Sequence, residues 1–362
     1  MNWLKKLLGK KEEPPITDHN SFWNWFLQHE KSFYSAVKSG NNVDASFLNI
    51  LMPKLQQLNH HFYCSTGMYN ADTAELIITA EGDIKSFVFV EELIAAAPVV
   101  GHWKFTALNP PIGLNDTNIQ MDGFLFDKNK LSFIDNGNEE HPDEIDLILI
   151  HTDYNESNKI TITNGTLIYL DHLLGELNTA TLIDNIKVAG MPAKNQELIG
   201  IDKLSPFLLW REKEFVEKYN GTRHNTEDDN YSTLEAEDEN GLMILAIINQ
   251  ELLDWDAKAS HPWLMVFDIK YDIEAGGMPY ESTYVLMDQF EEELVQQLPD
   301  SDGYLNLGRK TYNGTRTIYF ACKEFRNASK MASRLIQTYS KGLVVSYDIY
   351  KDKYWMTMRE FE

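Results

Sequence analysis

The sequence contains little cysteine, no long hydrophobic run and far fewer basic than acidic residues. Its two cysteines, Cys64 and Cys322, fall in separate predicted domains, which excludes a disulfide framework and indicates reduced core thiols. No apolar stretch approaches the roughly 20 residues that a membrane-spanning helix requires. The apolar stretch near Met1 is too short for a signal peptide. We therefore expect a cytoplasmic chain without a membrane span.

The motifs that mark common enzymes are also missing. The sequence contains no G-x-S-x-G elbow, no Walker A loop and no G-x-G-x-x-G loop. A serine or cysteine nucleophile assembled in space stays open, because catalytic triads are recognised by geometry and not by sequence order. The sequence thus favours a non-enzymatic protein without cofactors, and an unrecognised hydrolase is an alternative.

Positive charge is scarce overall but locally concentrated. The chain has 32 basic and 55 acidic residues, a net charge of −23. From residue 261 onward there are 15 acidic and 12 basic residues, so the first 260 residues carry −20 of that total. Such a charge works against nucleic-acid binding by the whole molecule, because phosphate is repelled over about 8–10 Å.

The length of 362 residues, with 43% hydrophobic and 12% aromatic content, fits a globular protein of two domains. Composition and element patterns predict an α+β fold. The predicted parts are a flexible tail at 1–20, an N-terminal α+β domain at 21–200, a helix and acidic linker at 201–240, and a C-terminal ferredoxin-like domain at 241–362.

The order of elements is clearest in the last hundred residues. Alternating apolar residues predict a strand from Trp263 to Tyr271, and apolar residues at helical spacing predict a helix that ends near Pro299. Strands around Leu305 and over 316–323 follow, and Asn313-Gly314 between them is a hairpin signal. A helix from about Asn327 and a last strand complete a βαββαβ order, which is typical of a ferredoxin-like sandwich.

Several short motifs in this region resemble a known family. They are His261-Pro262-Trp263, Gly276-Gly277-Met278-Pro279, Gly308-Arg309-Lys310-Thr311, Gly314-Thr315-Arg316-Thr317-Ile318-Tyr319-Phe320 and the ending Tyr350-Lys351-Asp352-Lys353-Tyr354-Trp355. The C-terminal third is similar to the bacterial domain of unknown function 695. That family is similar in fold to the RraB-type inhibitors of ribonuclease E. The resemblance implies a small binding module that regulates another protein, and it supplies no catalytic residue.

The first two-thirds contain a weaker version of the same order. Helices are expected over 21–38 and 44–58. Strands at 74–80 and 102–108 then flank a helix at 83–97, and strands at 144–152 and 182–188 flank a helix at 164–177. This pattern predicts a second ferredoxin-like module, and an unrelated α+β domain with the same order is the alternative.

The junction before the C-terminal domain is strongly acidic. Residues 227–239 hold seven acidic residues and no basic one. Such a run is typical of a solvated linker. The alternative is an acidic strip that binds a basic partner or the chain's own basic patch.

One basic patch stands out as a candidate partner-binding surface. Residues 309–334 contain seven basic residues and one acid, Glu324. Tyrosines interleave with the arginines, as in platforms that stack bases. The predicted partner-binding residues are Arg309, Arg316, Tyr319, Arg326, Lys330 and Arg334.

Candidate metal ligands lack the spacing that a complete site requires. His60 and Cys64 would share one face of a strand, but no third or fourth ligand accompanies them. His172 and Glu176 are four residues apart, which favours an ordinary helix pair over half of a di-metal motif. We expect no metal site. The isolated His102, His151 and His261 are expected to be structural.

Together these patterns favour a cytoplasmic, non-enzymatic module that binds another protein through its C-terminal domain. That hypothesis predicts an exposed apolar or aromatic patch on the sheet face opposite the two helices, because free sheet faces are used in recognition. The alternative is an RNA-associated role through the basic patch, which the net charge disfavours.

Overall fold

The computed structural model describes residues 13–114, 117–193, 196–274 and 276–361. It has an α+β fold with several separate sheets. The chain divides between Asn109 and Pro110 into two compact units, each described below by itself. The predicted boundaries near residues 20, 200 and 240 divide the chain differently. No helix in the described ranges is long and apolar enough to cross a bilayer.

The first unit packs an aromatic helical layer on a small sheet. Helix α1 (His19–Ser39) is followed by a π-helical turn (Asp44–Leu48) and by α2 (Asn49–Leu55). The Asp18 side chain accepts from the Ser21 backbone N–H at 2.7 Å, which fixes the start of α1. The buried aromatic residues of this layer are Phe22, Trp23, Trp25, Phe26, Phe33 and Phe47.

Part of the predicted flexible tail belongs to this unit. The Ile16 side chain is buried, and its backbone N–H donates to Gln57 Oε1 at 2.7 Å. Glu13 accepts from Trp25 Nε1 at 2.8 Å and pairs with Lys54 at 2.9 Å. Glu13 and Ile16 of the predicted tail therefore contact the helices of this unit, while the apolar stretch near Met1 lies outside the described residues.

The sheet of the first unit has the order β1-β2-β3. Its elements are β1 (Tyr63–Asn70), β2 (Thr73–Thr79), α3 (Ile84–Ala95) and β3 (Trp103–Ala107). Strands β1 and β2 are antiparallel, whereas β2 and β3 are parallel and directly adjacent.

The second unit begins with a four-stranded sheet of order β8-β7-β6-β9. A short hairpin, β4 (Ile119–Met121) and β5 (Phe124–Phe126), precedes it. The remaining elements are β6 (Leu131–Asp135), β7 (Asp146–His151), α4 (Lys159–Leu174), α5 (Glu176–Leu182), β8 (Asn185–Ala189), β9 (Ile199–Gly200) and α6 (Leu204–Lys218).

The predicted second ferredoxin-like module does not form. Its six elements exist, but β2 and β3 lie in one sheet and β7 and β8 in another. Each pair of strands is parallel and directly adjacent, so no strand lies between them as the split arrangement requires. Helical and strand periodicities predict elements equally well in either arrangement, which is why the sequence pattern did not separate the two.

The C-terminal part of the second unit is a six-stranded antiparallel sheet of order β10-β11-β13-β14-β12-β15. Its elements are β10 (Tyr231–Glu237), β11 (Met243–Asn249), α7 (Gln250–Leu253), β12 (Trp263–Lys270), α8 (Glu281–Gln297), β13 (Tyr304–Tyr312), β14 (Thr315–Cys322), α9 (Arg326–Tyr339), β15 (Val344–Lys351) and a 3₁₀ turn (Met356–Phe361). The βαββαβ element order is thus confirmed.

The hairpin between β13 and β14 has the predicted turn. Asn313 and Gly314 have φ values of 44° and 78°, and Tyr312 pairs with Thr315. Both central residues therefore adopt the left-handed backbone that a two-residue hairpin requires.

Helices α8 and α9 lie on one face of this sheet, here called the helix face. Phe267 on β12 contacts Phe290 on α8 with ring centroids 5.7 Å apart, and Phe290 contacts Tyr339 on α9 at 5.4 Å. Alternate residues of β12 and β14 point to this face and are fully buried, among them Ile318 and Phe320. This core follows from the alternating pattern in the sequence.

The opposite face is also buried, which contradicts the expected exposed patch. Leu264 and Leu305 on the strands are fully buried beneath Trp355 and Met358 of the C-terminal segment. Leu252 and Leu253 from α7 join the same cluster. Toward the hairpin this face becomes polar, with Thr315 and Thr317 at the surface. In the described residues, the centre of this face is therefore covered and is not the exposed patch that was expected.

Residues 231–237, assigned to the acidic linker, form β10 at the edge of this sheet. Tyr231 pairs with Asn249 and Glu237 pairs with Met243. The acidic residues are exposed, as a solvated segment requires, but the backbone is ordered by the ladder with β11. The acidic composition therefore predicted a linker where the chain forms a strand.

Candidate functional site

Arg316, a predicted partner-binding residue, lies inside the protein. Its side chain is only 1% exposed on the helix face. Nη1 donates to Asp288 Oδ1 at 2.6 Å, and Nε donates to Thr311 Oγ1 at 3.2 Å. The guanidinium also lies over the Tyr284 ring, 4.6 Å from its centroid. Arg316 therefore joins β14 to α8, and its assignment to a surface patch is wrong.

Arg309 makes a similar contact one strand away. Its Nη1 donates to Glu291 Oε2 at 2.9 Å, and the Glu291 side chain is 9% exposed. Burial by itself would lower the pKa of Arg309, but the Glu291 carboxylate outweighs burial and raises it. This arginine is therefore already paired within the monomer.

Tyr319 is buried on the opposite face, with 5% exposure, and its ring contacts Phe361 at 5.8 Å. Burial raises the pKa of its hydroxyl. Tyr312, the other tyrosine of the predicted stacking platform, donates to Asp238 Oδ2 at 2.9 Å. The aromatic platform that would stack bases is therefore not formed, and placing Tyr319 on a surface is wrong.

The remaining predicted residues lie on α9. Arg326 and Lys330 are half-buried and Arg334 is exposed. The Arg326 guanidinium lies 4.6 Å from the centroid of the Phe325 ring. These three basic residues are spaced by four on one helix, whereas Arg309 and Arg316 lie beneath α8. A partner-binding role for these residues stays a prediction.

His60 and Cys64 lie at the start of the first sheet and do not form a ligand pair. His60 precedes β1, and Cys64 Sγ contacts Met52 Sδ at 3.4 Å. Burial raises the pKa of the Cys64 thiol to about 12, which disfavours the thiolate that a metal binds. In the described part of the chain no three His, Cys, Asp or Glu side chains are grouped to hold a metal ion.

His172 and Glu176 are not on one helix. Gly175, with φ 79°, ends α4 and precedes α5, so the expected i,i+4 pair does not form. The glycine was visible in the sequence and was the signal for this break.

The isolated histidines contact backbone or neighbouring side chains. His102 Nδ1 lies 3.2 Å from Asp72 O, and His151 Nε2 lies 3.0 Å from Leu125 O. His261 is fully buried, and its Nδ1 lies 2.9 Å from Ser260 Oγ. Burial, with Lys323 and Arg223 nearby, lowers the pKa of His261 to about 3. A histidine so buried is inaccessible to a substrate.

The C-terminal segment connects the four-stranded and six-stranded sheets of the second unit. Asp143 accepts from Lys218 Nζ and Tyr219 OH at 2.8 Å and from Tyr354 OH at 2.9 Å. Burial by itself would raise the pKa of Asp143, but these three donors lower it. Asp143 therefore stays charged at this junction.

The outer edge of β10 belongs to the acidic segment for which binding of a basic partner was the alternative prediction. In the described ranges β10 pairs with β11 alone. Gln250 N–H donates to Asn230 O, and Asp238 N–H donates to Leu242 O, both at 3.0 Å. Since antiparallel pairing alternates along a strand, the even-numbered residues of β10 point their backbone groups to β11. The odd-numbered residues 231, 233, 235 and 237 point theirs away from the sheet.

The side chains at this edge are apolar and acidic. Tyr231 is 46% exposed, Leu234 is 40% exposed and Met243 on β11 is 44% exposed. Glu235 and Glu237 are exposed, with no basic side chain in ion-pair distance among the described residues. Nearby, Glu292, Val295 and Arg309 help to line a cavity of about 420 Å³ beside α8. The edge therefore combines free backbone groups with uncompensated negative charge.

Comparison with known proteins gives one match, in the C-terminal part of the chain. Residues 234–361 match the family of unknown function DUF695. The DUF695 region runs from within β10 to the final 3₁₀ turn and contains the βαββαβ core, so the expected resemblance of the C-terminal third is confirmed. No curated protein and no solved structure shows a significant match to the chain.

Proposed function

We propose that the protein is a cytoplasmic, non-enzymatic module that binds an extended, basic segment of another protein at the outer edge of β10. The observation that carries the proposal is the phase of β10, whose odd-numbered residues direct their backbone groups outward. An incoming strand would pair with these groups and extend the six-stranded sheet by one. Strand addition of this kind gives affinity through main-chain hydrogen bonds and specificity through alternate side chains.

The charge of the edge supports a basic partner. Glu235 and Glu237 flank the outward-pointing backbone, and Glu227, Asp228 and Glu239 lie in the segments on either side. Lysine or arginine side chains on an added strand would be attracted to these carboxylates and would associate faster at low salt. Negative charge would also oppose pairing with a second copy of the same acidic edge.

The fold of the DUF695 region supports a binding role of this type. We propose that its βαββαβ core is ferredoxin-like, because β13-β14-β12-β15 is the order expected when the first and last strands are neighbours. Strands β10 and β11 extend that core on one side. The suggested fold similarity to RraB-type ribonuclease inhibitors, and a regulatory role by analogy, rest on the sequence resemblance.

The RNA-associated alternative has less support. Arg316 and Tyr319 are buried, and Arg309 is paired with Glu291. The other predicted residues, Arg326, Lys330 and Arg334, lie on α9 of a chain with a net charge of −23, which disfavours contact with phosphate. The hydrolase alternative would need an accessible nucleophile, whereas Cys322 and His261 are fully buried.

The test is partner capture by tagged wild-type protein and by two edge variants from nuclease-treated native cytoplasm. Thr233→Pro removes an outward N–H and leaves the ladder with β11 in place, because residue 233 points away from β11. Glu235→Lys combined with Glu237→Lys reverses the charge. Glu139→Lys combined with Glu140→Lys is the control, since it makes the same charge change in an exposed loop.

We expect one protein to be retained by the wild type and by the control, and to be lost from both edge variants. Amide hydrogen exchange of the retained complex should show new protection at residues 231, 233, 235 and 237. Capture that survives Thr233→Pro, or protection elsewhere with none on β10, contradicts strand addition.

A further inference from the structure

A separate cavity of about 320 Å³ lies within the second unit, between α5, α6 and the C-terminal sheet. It is distinct from the β10 edge, and its walls are of two kinds. Apolar side chains form one part: Leu177, Phe215, Val216, Pro262, Trp263 and Phe325. Basic side chains form another: Lys323, Arg326, Lys351 and Lys353.

The cavity lining also contains carboxylates. Glu324 is occupied at the start of α9, where it accepts from the backbone N–H of Arg326 at 2.7 Å and of Asn327 at 3.0 Å. It also accepts from Tyr304 OH. Glu212 is the other carboxylate in the lining. The lining therefore contains four basic side chains and two carboxylates, and Glu324 is held by other donors.

Two of these lysines share a single carboxylate. Lys351 Nζ lies 3.0 Å from Asp184 Oδ1, and Lys353 Nζ lies 2.9 Å from Asp184 Oδ2. The exposures of these side chains are 12% for Lys351, 4% for Lys353 and 6% for Asp184. Lys353 also donates to the backbone carbonyl of Asp143 at 2.5 Å. Asp184 therefore pairs with both lysines, which are largely buried beside the cavity.

Lys323 brings further positive charge. It has no carboxylate in ion-pair distance among the described residues. Burial, together with the neighbouring Arg223, lowers its pKa. Arg223 donates to the carbonyl of Thr222. An anion bound beside Lys323 would offset this repulsion and favour the charged ammonium.

We propose that this cavity binds a small organic anion, in which a phosphate or carboxylate is attached to an apolar group about the size of one ring. The charged end lies against Lys323 and Arg326, and the apolar end lies against Trp263 and Phe215. The volume is at the low end of the range for ligand sites, which limits the occupant to a small molecule.

Proton uptake on binding follows from the surroundings of Lys351. Its pKa is lowered to about 8, because burial and Lys353 lower it by more than Asp184 and Glu212 raise it. An added anion favours the charged ammonium, so the pKa rises on binding. At pH 8 the complex would therefore take up as much as about half a proton from solution.

The test is calorimetric titration of the full chain with phenyl phosphate, and with inorganic phosphate and phenol as partial probes. The variants are Lys323→Glu and the milder Lys323→Gln. Lys213→Glu is the control, because Lys213 lies on α6 outside the cavity with its side chain 75% exposed. Thermal unfolding of each variant checks that the fold is retained.

We expect phenyl phosphate to bind more tightly than either partial probe. Lys323→Glu should weaken binding by at least about tenfold, Lys323→Gln by less, and Lys213→Glu by less than about twofold. Titration at pH 8 in two buffers of different ionisation enthalpy should show proton uptake. Absence of saturable binding by the wild type, or equal weakening by Lys213→Glu, overturns the proposal. Equal affinities for inorganic phosphate and phenyl phosphate would show that the apolar side chains do not contribute to binding. Partner capture at β10 is unaffected by any of these outcomes.

Discussion

The two faces of the C-terminal sheet are buried by different kinds of structure. Helices α8 and α9 cover the helix face with regular apolar stripes, such as Phe290 and Leu294 on α8. On the opposite face, the cover comes from the single turn of α7 and from a C-terminal segment that includes Trp355. Regular elements have a period that the sequence displays, whereas irregular segments have none. When the predicted order of helices and strands assigns no helix to one face of a sheet, that face can still be covered by irregular segments.

Trp355 shows how much the opposite face depends on single residues. Its backbone has φ 52°, a left-handed conformation that costs a bulky residue about 1–2 kcal/mol. Its ring is 1% exposed, and its Nε1 donates to His261 O at 3.0 Å. Burial of the ring and the hydrogen bond offset the backbone cost.

The largest expected effect comes from removing that ring. Trp355→Ala should destabilise the protein by about 3–5 kcal/mol, as large-to-small changes in a packed core do. Phe267→Ala on the helix face should fall in the same range. The measurement is urea unfolding, with Val344→Ala as control because Val344 is 71% exposed. A loss below about 1 kcal/mol for Trp355→Ala, beside a full loss for Phe267→Ala, would mean that only the helix face has a core.

The second effect is a pH dependence that arises under the C-terminal segment. His261 has a folded pKa of about 3, and an unfolded histidine has a pKa of about 6.5. Because the folded pKa is lowered, the unfolded state binds more protons as pH falls below 6.5, and stability is lost. Between pH 7 and pH 5 this single group should remove about 2 kcal/mol.

Unfolding measured at pH 7, 6 and 5 for wild type and His261→Asn checks this expectation. The variant should lose about 2 kcal/mol less than the wild type across that range. Parallel curves would show that His261 is not responsible. Burial also lowers the pKa of His151, so this histidine adds to the loss of stability at low pH. Its contribution is the same in the wild type and in the His261 variant.

The third effect concerns the charged pair on the helix face. Asp288→Ala leaves the nearly fully buried Arg316 without its carboxylate and should cost about 1–3 kcal/mol. The low end is expected, because the Asp288 side chain is 35% exposed and water can replace it. Arg316→Met combined with Asp288→Ala should recover much of the loss, and Arg316→Met alone is the second single variant. The four unfolding free energies form a double-mutant cycle, and additive losses would show that the two residues do not interact.

The smallest effect separates the ring of Trp355 from its hydrogen bond. Trp355→Phe keeps an aromatic ring in the cluster but loses the donor to His261 O. Its cost should be about 1 kcal/mol, well below that of Trp355→Ala. Equal costs for the two substitutions, measured by the same urea titration, would assign the contribution of Trp355 to the hydrogen bond.

Much of the DUF695 region could be predicted from local patterns. The alternation in β12 indicated a strand with one buried face, and Asn313-Gly314 indicated a two-residue turn. Both signals depend only on neighbouring residues. The start of α9 was predicted to within one residue, and the side chain of Glu324 accepts from its first backbone N–H groups.

The fate of the basic patch was harder to predict, although part of the signal was present. Arg316 has the same parity in β14 as Ile318 and Phe320, which placed it on the buried face. Its carboxylate partner, Asp288, is 28 residues away in sequence, and nothing local indicates that the two meet. A charged residue in phase with a buried stripe is therefore better interpreted as half of an internal pair.

By itself, the sequence determined the elements of this protein, because helix and strand periods and turn residues act over a few neighbouring positions. It also determined the family resemblance of residues 234–361. Tertiary structure alone decided which strands share a sheet, that Trp355 covers the opposite face, and that the acidic run at 231–237 forms an outer edge. These outcomes depend on pairing between distant segments, whose free energies no local pattern contains.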